Sequence, residues 1–238
     1  MSSSDNLKSL SDISCLFLLE IPLESSIESG FKNGIVITNN HDGKYRCFSH
    51  LGRCNGCNWP SQYGAPSNWQ VINLHSGCRA FQYERAAKHE ILHALGIKHE
   101  HSSKGFTTTI LWESNSTSIQ YRPFILDKRP DRNDYITVDT SEAPYAEAVQ
   151  YIPMPKNVWF NTNHPYEIKS VMHYDSFKSG PVYMRLKDGR SFTKGRVMTT
   201  TDSLQVDEMY CKDFPQYKSK AWFRKQWFTS IVKVRKGF

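Results

Sequence analysis

The chain has 238 residues, 22% of them charged and 39% hydrophobic, which suits one folded domain with a tail and a substantial core. No apolar run reaches 18 residues, which excludes a helical membrane span, and the short apolar stretch at 15–19, cut by Glu20, makes a poor export signal. The net charge of +7 resides wholly in residues 212–238, where eight Lys or Arg face one Asp, so the rest of the chain is neutral.

Residues 1–14 are polar. Short apolar runs at 16–21, 34–38 and 70–74, punctuated by Gly, Asn and Asp, predict strands of a sheet. From Phe81 to Leu95 apolar residues recur at helical spacing and predict a helix. That helix carries His89-Glu90-Ile91-Leu92-His93. Residues four apart on a helix lie about 40° from each other on one face, so His89 and His93 can hold one metal ion with Glu90 beside it. Gly96 is suited to end the helix in a left-handed conformation, which swings His99 back as a third ligand. Three imidazoles with an open fourth position describe a catalytic zinc site. The competing reading, an amphipathic core helix that carries histidines by chance, would have to bury or solvate three imidazoles that bind nothing.

Further along, Pro144, Pro153, Pro155 and Pro165 predict loops with short helical turns. They lead to Ser170-Val171-Met172-His173-Tyr174, and then to a basic run of Arg185, Lys187, Arg190, Lys194 and Arg196. In the tail, Trp222, Phe223, Trp227 and Phe228 interleave with the basic residues. Such a segment could touch an acidic surface, but a solvated or mispredicted extension is the simpler reading, and no nucleic-acid partner is expected. The six cysteines lie apart from the histidines in sequence and read as a disulfide framework. For Cys54-Asn55-Gly56-Cys57 a redox pair and half a zinc site stand beside a local disulfide that pins the loop.

H-E-x-x-H-x-x-G-x-x-H followed by a Met-containing turn marks the metzincin class. With Glu100 directly after the third His and S-x-M-H-Y at the turn, the chain resembles the astacin family of zinc metalloendopeptidases. The resemblance implies an α+β fold of two subdomains, a twisted, mostly parallel sheet with the active-site helix above a largely irregular C-terminal part. It implies His89, His93 and His99 as ligands of one zinc ion, Glu90 as general base, Tyr174 as a hinged tyrosine that stabilises the oxyanion, and Met172 as support for the metal site. It also implies disulfides Cys47 to Cys78 and Cys15 to Cys211, and an edge strand of the sheet that pairs with substrate backbone; residues 71–74 directly precede the helix, but the sequence does not state which strand is the edge.

The domain so delimited is 15–211, with 1–14 as the remnant of a truncated start and 212–238 as a tail. The family's Glu after the third His anchors the mature N-terminus, and Glu100 has no obvious partner in this sequence. Residues 103–128 interrupt the family motif, which resumes at Arg129-Pro130-Asp131-Arg132. They are either a surface loop, in which Asn115-Ser116-Thr117 is a glycosylation sequon, or an untranslated segment retained in error, since they have no evident turn or helix logic. The expected activity is hydrolysis of internal peptide bonds of protein substrates by a secreted enzyme. The alternative is a catalytically impaired, astacin-like binding protein or an incomplete gene product.

Overall fold

Ile35, Val36 and Ile37 form a run with no polar face, stable only in a strand covered on both sides. In the structure, a computed structural model, all five residues of this strand are buried. Described are residues 18–21, 34–39, 47–52, 69–75, 78, 83–102, 109–112, 120–123, 132–141, 143–153, 164–177, 181–210 and 229–233. In chain order the elements are β1 (Leu18–Ile21), β2 (Gly34–Thr38), β3 (Cys47–Ser49), β4 (Gln70–Leu74), α1 (Tyr83–Ala94), β5 (Thr109–Trp112), β6 (Gln120–Pro123), β7 (Ile136–Val138), α2 (Tyr145–Ala148), β8 (Met184–Leu186), α3 (Thr200–Tyr210) and β9 (Thr229–Lys233). Single 3-10 turns lie at Glu100–Ser102, Arg132–Asp134 and Val149–Tyr151. The chain divides into two units, one of Met1–Lys98 with Arg196–Phe238, the other of His99–Gly195.

The first unit holds a five-stranded sheet in the order β1-β9-β2-β4-β3. All neighbours are parallel except β3, which closes one edge antiparallel to β4 with Phe48 opposite Asn73. The expected mostly parallel sheet is therefore present. Two features of it were not legible in the sequence. β4, the strand just before the helix, is interior, and the edge beside it is β3. And β9, from the basic tail, lies between β1 and β2, with Ser230 beside both Leu19 and Gly34. Thr229–Lys233 thus has ladder partners on both sides, which corrects the reading of the whole tail as a solvated extension. Ser230-Ile231-Val232 is β-prone, but only the sheet reveals a vacant place between two strands distant in sequence.

Gly34 is required by packing: a Cβ there would stand 2.6 Å from Cε3 of the fully buried Trp69. A disulfide links Cys47 of β3 to Cys78, Sγ–Sγ 2.09 Å, as the family resemblance implies. Cys15, Cys54, Cys57 and Cys211 lie outside the described residues.

In the second unit, β7 and β8 pair antiparallel over a core of Ile136, Tyr151, Tyr166, Tyr183 and Met184. Gly195 permits a close approach, since a Cβ there would sit 1.6 Å from the carbonyl oxygen of Lys169. Within residues 103–128, β5 and β6 form an antiparallel pair with Ile110 opposite Arg122. The segment therefore has a local structural logic that sequence inspection missed. Its Thr, Ile, Trp and Tyr residues favour strands without the strict alternation that makes a strand easy to see.

Candidate metal centre

α1 delivers its histidines with a fixed stop behind them. Ala87, Ile91, Leu92, Ala94 and Leu95 are buried, so the helix is held by its apolar side. At its end Gly96 takes φ +100, its N–H donates to the His93 carbonyl (2.8 Å), and the Ile97 N–H donates to the Leu92 carbonyl (2.9 Å). This pair of bonds is the Schellman motif. The last four carbonyls of a helix have no partner inside it. Here Leu92 and His93 are satisfied by that motif, Ala94 by the Gln70 amide of β4 (2.7 Å), and Leu95 by the Tyr210 hydroxyl (2.6 Å). His93 O also accepts the Gly52 N–H at 2.7 Å. Gln70 and Tyr210 carried no sequence signal for this role, because the partner elements are remote in the chain.

The stop turns the chain so that His89, His93 and His99 each offer a ligand nitrogen, all within 4.8 Å of one another. The rings of His89 and His93 stand 4.5 Å apart at 82°. His93 Nδ1 donates to the Ile97 carbonyl (2.7 Å), which fixes the tautomer and leaves the Nε2 lone pair for a metal. Burial holds the His93 ring at a pKa of about 4, against the opposing effect of that carbonyl, so it is neutral at pH 7 as a ligand must be. Three imidazoles with no thiolate among them fit zinc. Glu90 is buried beside them, 7% exposed. Desolvation raises its pKa to about 8, moderated by the charge of Arg85, and a cation in the site would pull it down again.

In the second unit the segment after His99 is tied to the Met-turn. The Glu100 N–H donates to the Met172 carbonyl (3.1 Å), and the buried Glu100 carboxylate accepts the Glu167 N–H at 2.9 Å. Glu100, without an obvious partner in the sequence, thus has a main-chain donor in the turn's approach. Met172 is buried, and its N–H donates to Ser170 Oγ at 2.9 Å. His173 Nδ1 donates to the Tyr174 carbonyl (2.7 Å), so its Nε2 accepts the Tyr166 hydroxyl. The Tyr174 ring rests 4.3 Å from the His99 ring and 4.2 Å from that of His101. Arg132, from the place where the interrupted motif resumes, donates from Nη1 to the carbonyls of His101 (2.7 Å) and Tyr151. The segments on either side of residues 103–128 therefore meet, through Arg132 and His101. His101 and Arg132 stand inside that motif, yet neither was singled out, since nothing in the sequence states what they touch.

A helix bearing two imidazoles, with a buried carboxylate next to the first of them, and a turn bringing a third together offer a metal ion three nitrogens in the H-E-x-x-H arrangement. The family model described as Astacin, a peptidase family, matches residues 25–117 and 124–211, and the chain belongs to that family. Among its relatives, zinc metalloproteinase nas-7 of Caenorhabditis elegans is 24% identical over 166 residues, covering 67% of this chain and 35% of that protein. Zinc metalloproteinase nas-12 of the same organism is 27% identical over 140 residues, 57% of this chain and 24% of that protein. The chain thus spans about a third or less of the length of these relatives. High choriolytic enzyme 1, a hatching enzyme zinc-protease of the medaka fish Oryzias latipes, shares the fold, with a TM-score of 0.52 at 18% identity over 82% of this chain and 90% of that one.

Proposed function

We propose that this protein is a zinc-dependent endopeptidase that hydrolyses internal peptide bonds of protein substrates. The observation that carries the reading is the convergence of His89, His93 and His99, with the buried Glu90 next to His89 on the same helix. Zinc held by these imidazoles would supply Lewis acidity, lowering the pKa of water towards neutrality and polarising a carbonyl. Glu90 takes the proton from the attacking water at its carboxylate and passes it to the leaving amine. Burial favours the uptake of the proton, since a desolvated carboxylate is a stronger base than one in water. Tyr174 donates its hydroxyl proton to the oxyanion, a contact made mainly in the transition state. Met172, anchored to Glu100 and Ser170, holds the chain that follows His99.

The Cys47–Cys78 disulfide and the family membership support an oxidising, extracellular setting. Among the described residues no helix is long and apolar enough to cross a membrane. No observation favours the alternative of a binding protein that does not cleave.

The test is hydrolysis of an unfolded protein by the zinc-loaded chain, with Glu90→Gln as the matched variant and zinc content read by atomic absorption. The variant is expected to keep one zinc per chain and lose about 10²–10⁴-fold in turnover. Near-normal turnover by Glu90→Gln would refute the assignment.

A further inference from the structure

The ring of His93 is oriented by a carbonyl four residues on, since its Nδ1 donates to Ile97 O at 2.7 Å. Where that carbonyl stands depends on the turn between the two residues, and the turn is held from outside the helix. Ala94 O accepts Nε2 of Gln70, from β4, at 2.7 Å, and Leu95 O accepts the hydroxyl of Tyr210, the last residue of α3, at 2.6 Å. Ala94 and Leu95 are buried, so their carbonyls depend on protein donors. The Gln70 nitrogen also donates to Gly52 O. Both of its hydrogens are thereby engaged, and the amide has one orientation, because its oxygen could donate to neither carbonyl. The Gly52 N–H in turn donates to His93 O at 2.7 Å. The segment after β3, strand β4 and helix α3 therefore all grip the turn that leads to Ile97.

We propose that Gln70 and Tyr210 are positioning residues for His93, which they orient through the Ile97 carbonyl. The proposal rests on the reading of His93 as a zinc ligand. The Leu95 carbonyl belongs to the peptide that enters Gly96, and glycine leaves that peptide free to rotate unless a donor holds it. A side-chain donor on each of the two carbonyls removes this freedom. Loss of either lets Ile97 O drift, and a hydrogen bond weakens steeply once its angle opens. The ring then divides between two tautomers, and only the one with hydrogen on Nδ1 presents the Nε2 lone pair to a metal. Losing a group that orients a metal-bound imidazole lowers affinity about 10–100-fold, and these two act one step further out, at the low end of that range.

The experiment uses the full chain and two readouts, neither of them cleavage. In the first, zinc affinity is measured by competition with a chromogenic chelator for the parent, Gln70→Met, Gln70→Glu, Tyr210→Phe and Ile37→Val. Gln70→Met keeps the length without a donor, and Tyr210→Phe loses a single hydroxyl. Each is expected to bind zinc about tenfold more weakly. Gln70→Glu is expected to lose more, because it turns carboxylate oxygens towards two carbonyls. Ile37→Val removes one methyl from buried β2 and costs stability away from the turn, so it should keep the parent's affinity.

In the second readout, ¹⁵N ring resonances of His93 are followed in the metal-free chain at about pH 8, where ordinary imidazoles are neutral, with His93→Asn identifying the signals. The parent should show hydrogen on Nδ1, and Gln70→Met and Tyr210→Phe should each show a larger share of the other tautomer. Parent-like affinity in Gln70→Met or Tyr210→Phe, an unchanged tautomer, or an equal loss of affinity in Ile37→Val would overturn the proposal. Should Gln70→Met fail to fold, Tyr210→Phe decides by the same two measurements. A parent that binds zinc but cleaves nothing would refute the peptidase reading alone. If the parent binds no zinc, the metal-site reading fails, while the tautomer still decides whether the two side chains orient the ring.

Discussion

Gly96→Ala tests whether the helix stop builds the metal site. At φ +100 an L-residue suffers the clash of Cβ with the carbonyl that disfavours left-handed backbone, about 1–2 kcal/mol. The added Cβ would also stand 3.0 Å from Met209 Cε, close enough that the methionine must shift by a few tenths of an ångström. The chain can relieve this strain by undoing the two Schellman bonds, at His93 O and Leu92 O, and that moves His99 away from His89 and His93. A ligand that must be brought back at a cost of about 1.4 kcal/mol lowers zinc affinity about tenfold. Gly189→Ala is the control: its φ is +85, but a Cβ there meets nothing within 4 Å and it has no part in the site. Both variants should lose about 1–2 kcal/mol in chemical denaturation. Only Gly96→Ala should also weaken zinc binding, by about tenfold or more in competition with a chromogenic chelator. Equal zinc affinity in the two variants would refute the argument that Gly96 sets the third ligand.

Two further outcomes follow from packing and burial. Burial holds His173 at a pKa of about 4, against the raising effects of the Tyr174 carbonyl and Asp175 and with Arg132 lowering it further. The fold therefore favours the neutral ring, and this stabilisation is fully present above the unfolded pKa of 6.5 and is lost as pH falls from 6.5 towards 4. It amounts to about 3 kcal/mol at most, and denaturation of His173→Gln between pH 7 and 4 should show a correspondingly shallower pH slope than the parent. An equal slope would mean that the ring does not carry the effect. Deleting residues 212–238 removes β9 and leaves β1 and β2 without the strand between them, so the truncated chain should unfold at lower denaturant and its β2 amides should exchange faster. Unchanged β2 protection would show that the sheet does not depend on the tail.

The local chemistry was legible in the sequence because its spacing is short. His89 and His93 are one helical turn apart, Gly96 is suited to a left-handed stop, and His99 follows within a few residues, so a single stretch specifies three candidate ligands. Runs such as Gly34–Thr38 and Gln70–Leu74 likewise announced strands through composition alone, and the observed boundaries agree. What the sequence left open depends on partners far apart in the chain. Gln70 and Tyr210 satisfy carbonyls at the end of α1, Arg132 grips a carbonyl 31 residues earlier, and Glu100 finds its donor at Glu167. The placement of β9 between β1 and β2 is of the same kind. Periodicity reports which face of an element is apolar, and motif spacing reports which side chains share a turn. Neither reports which distant main-chain group will lie within hydrogen-bonding reach, because only the folded chain decides where each buried donor and acceptor finds its partner.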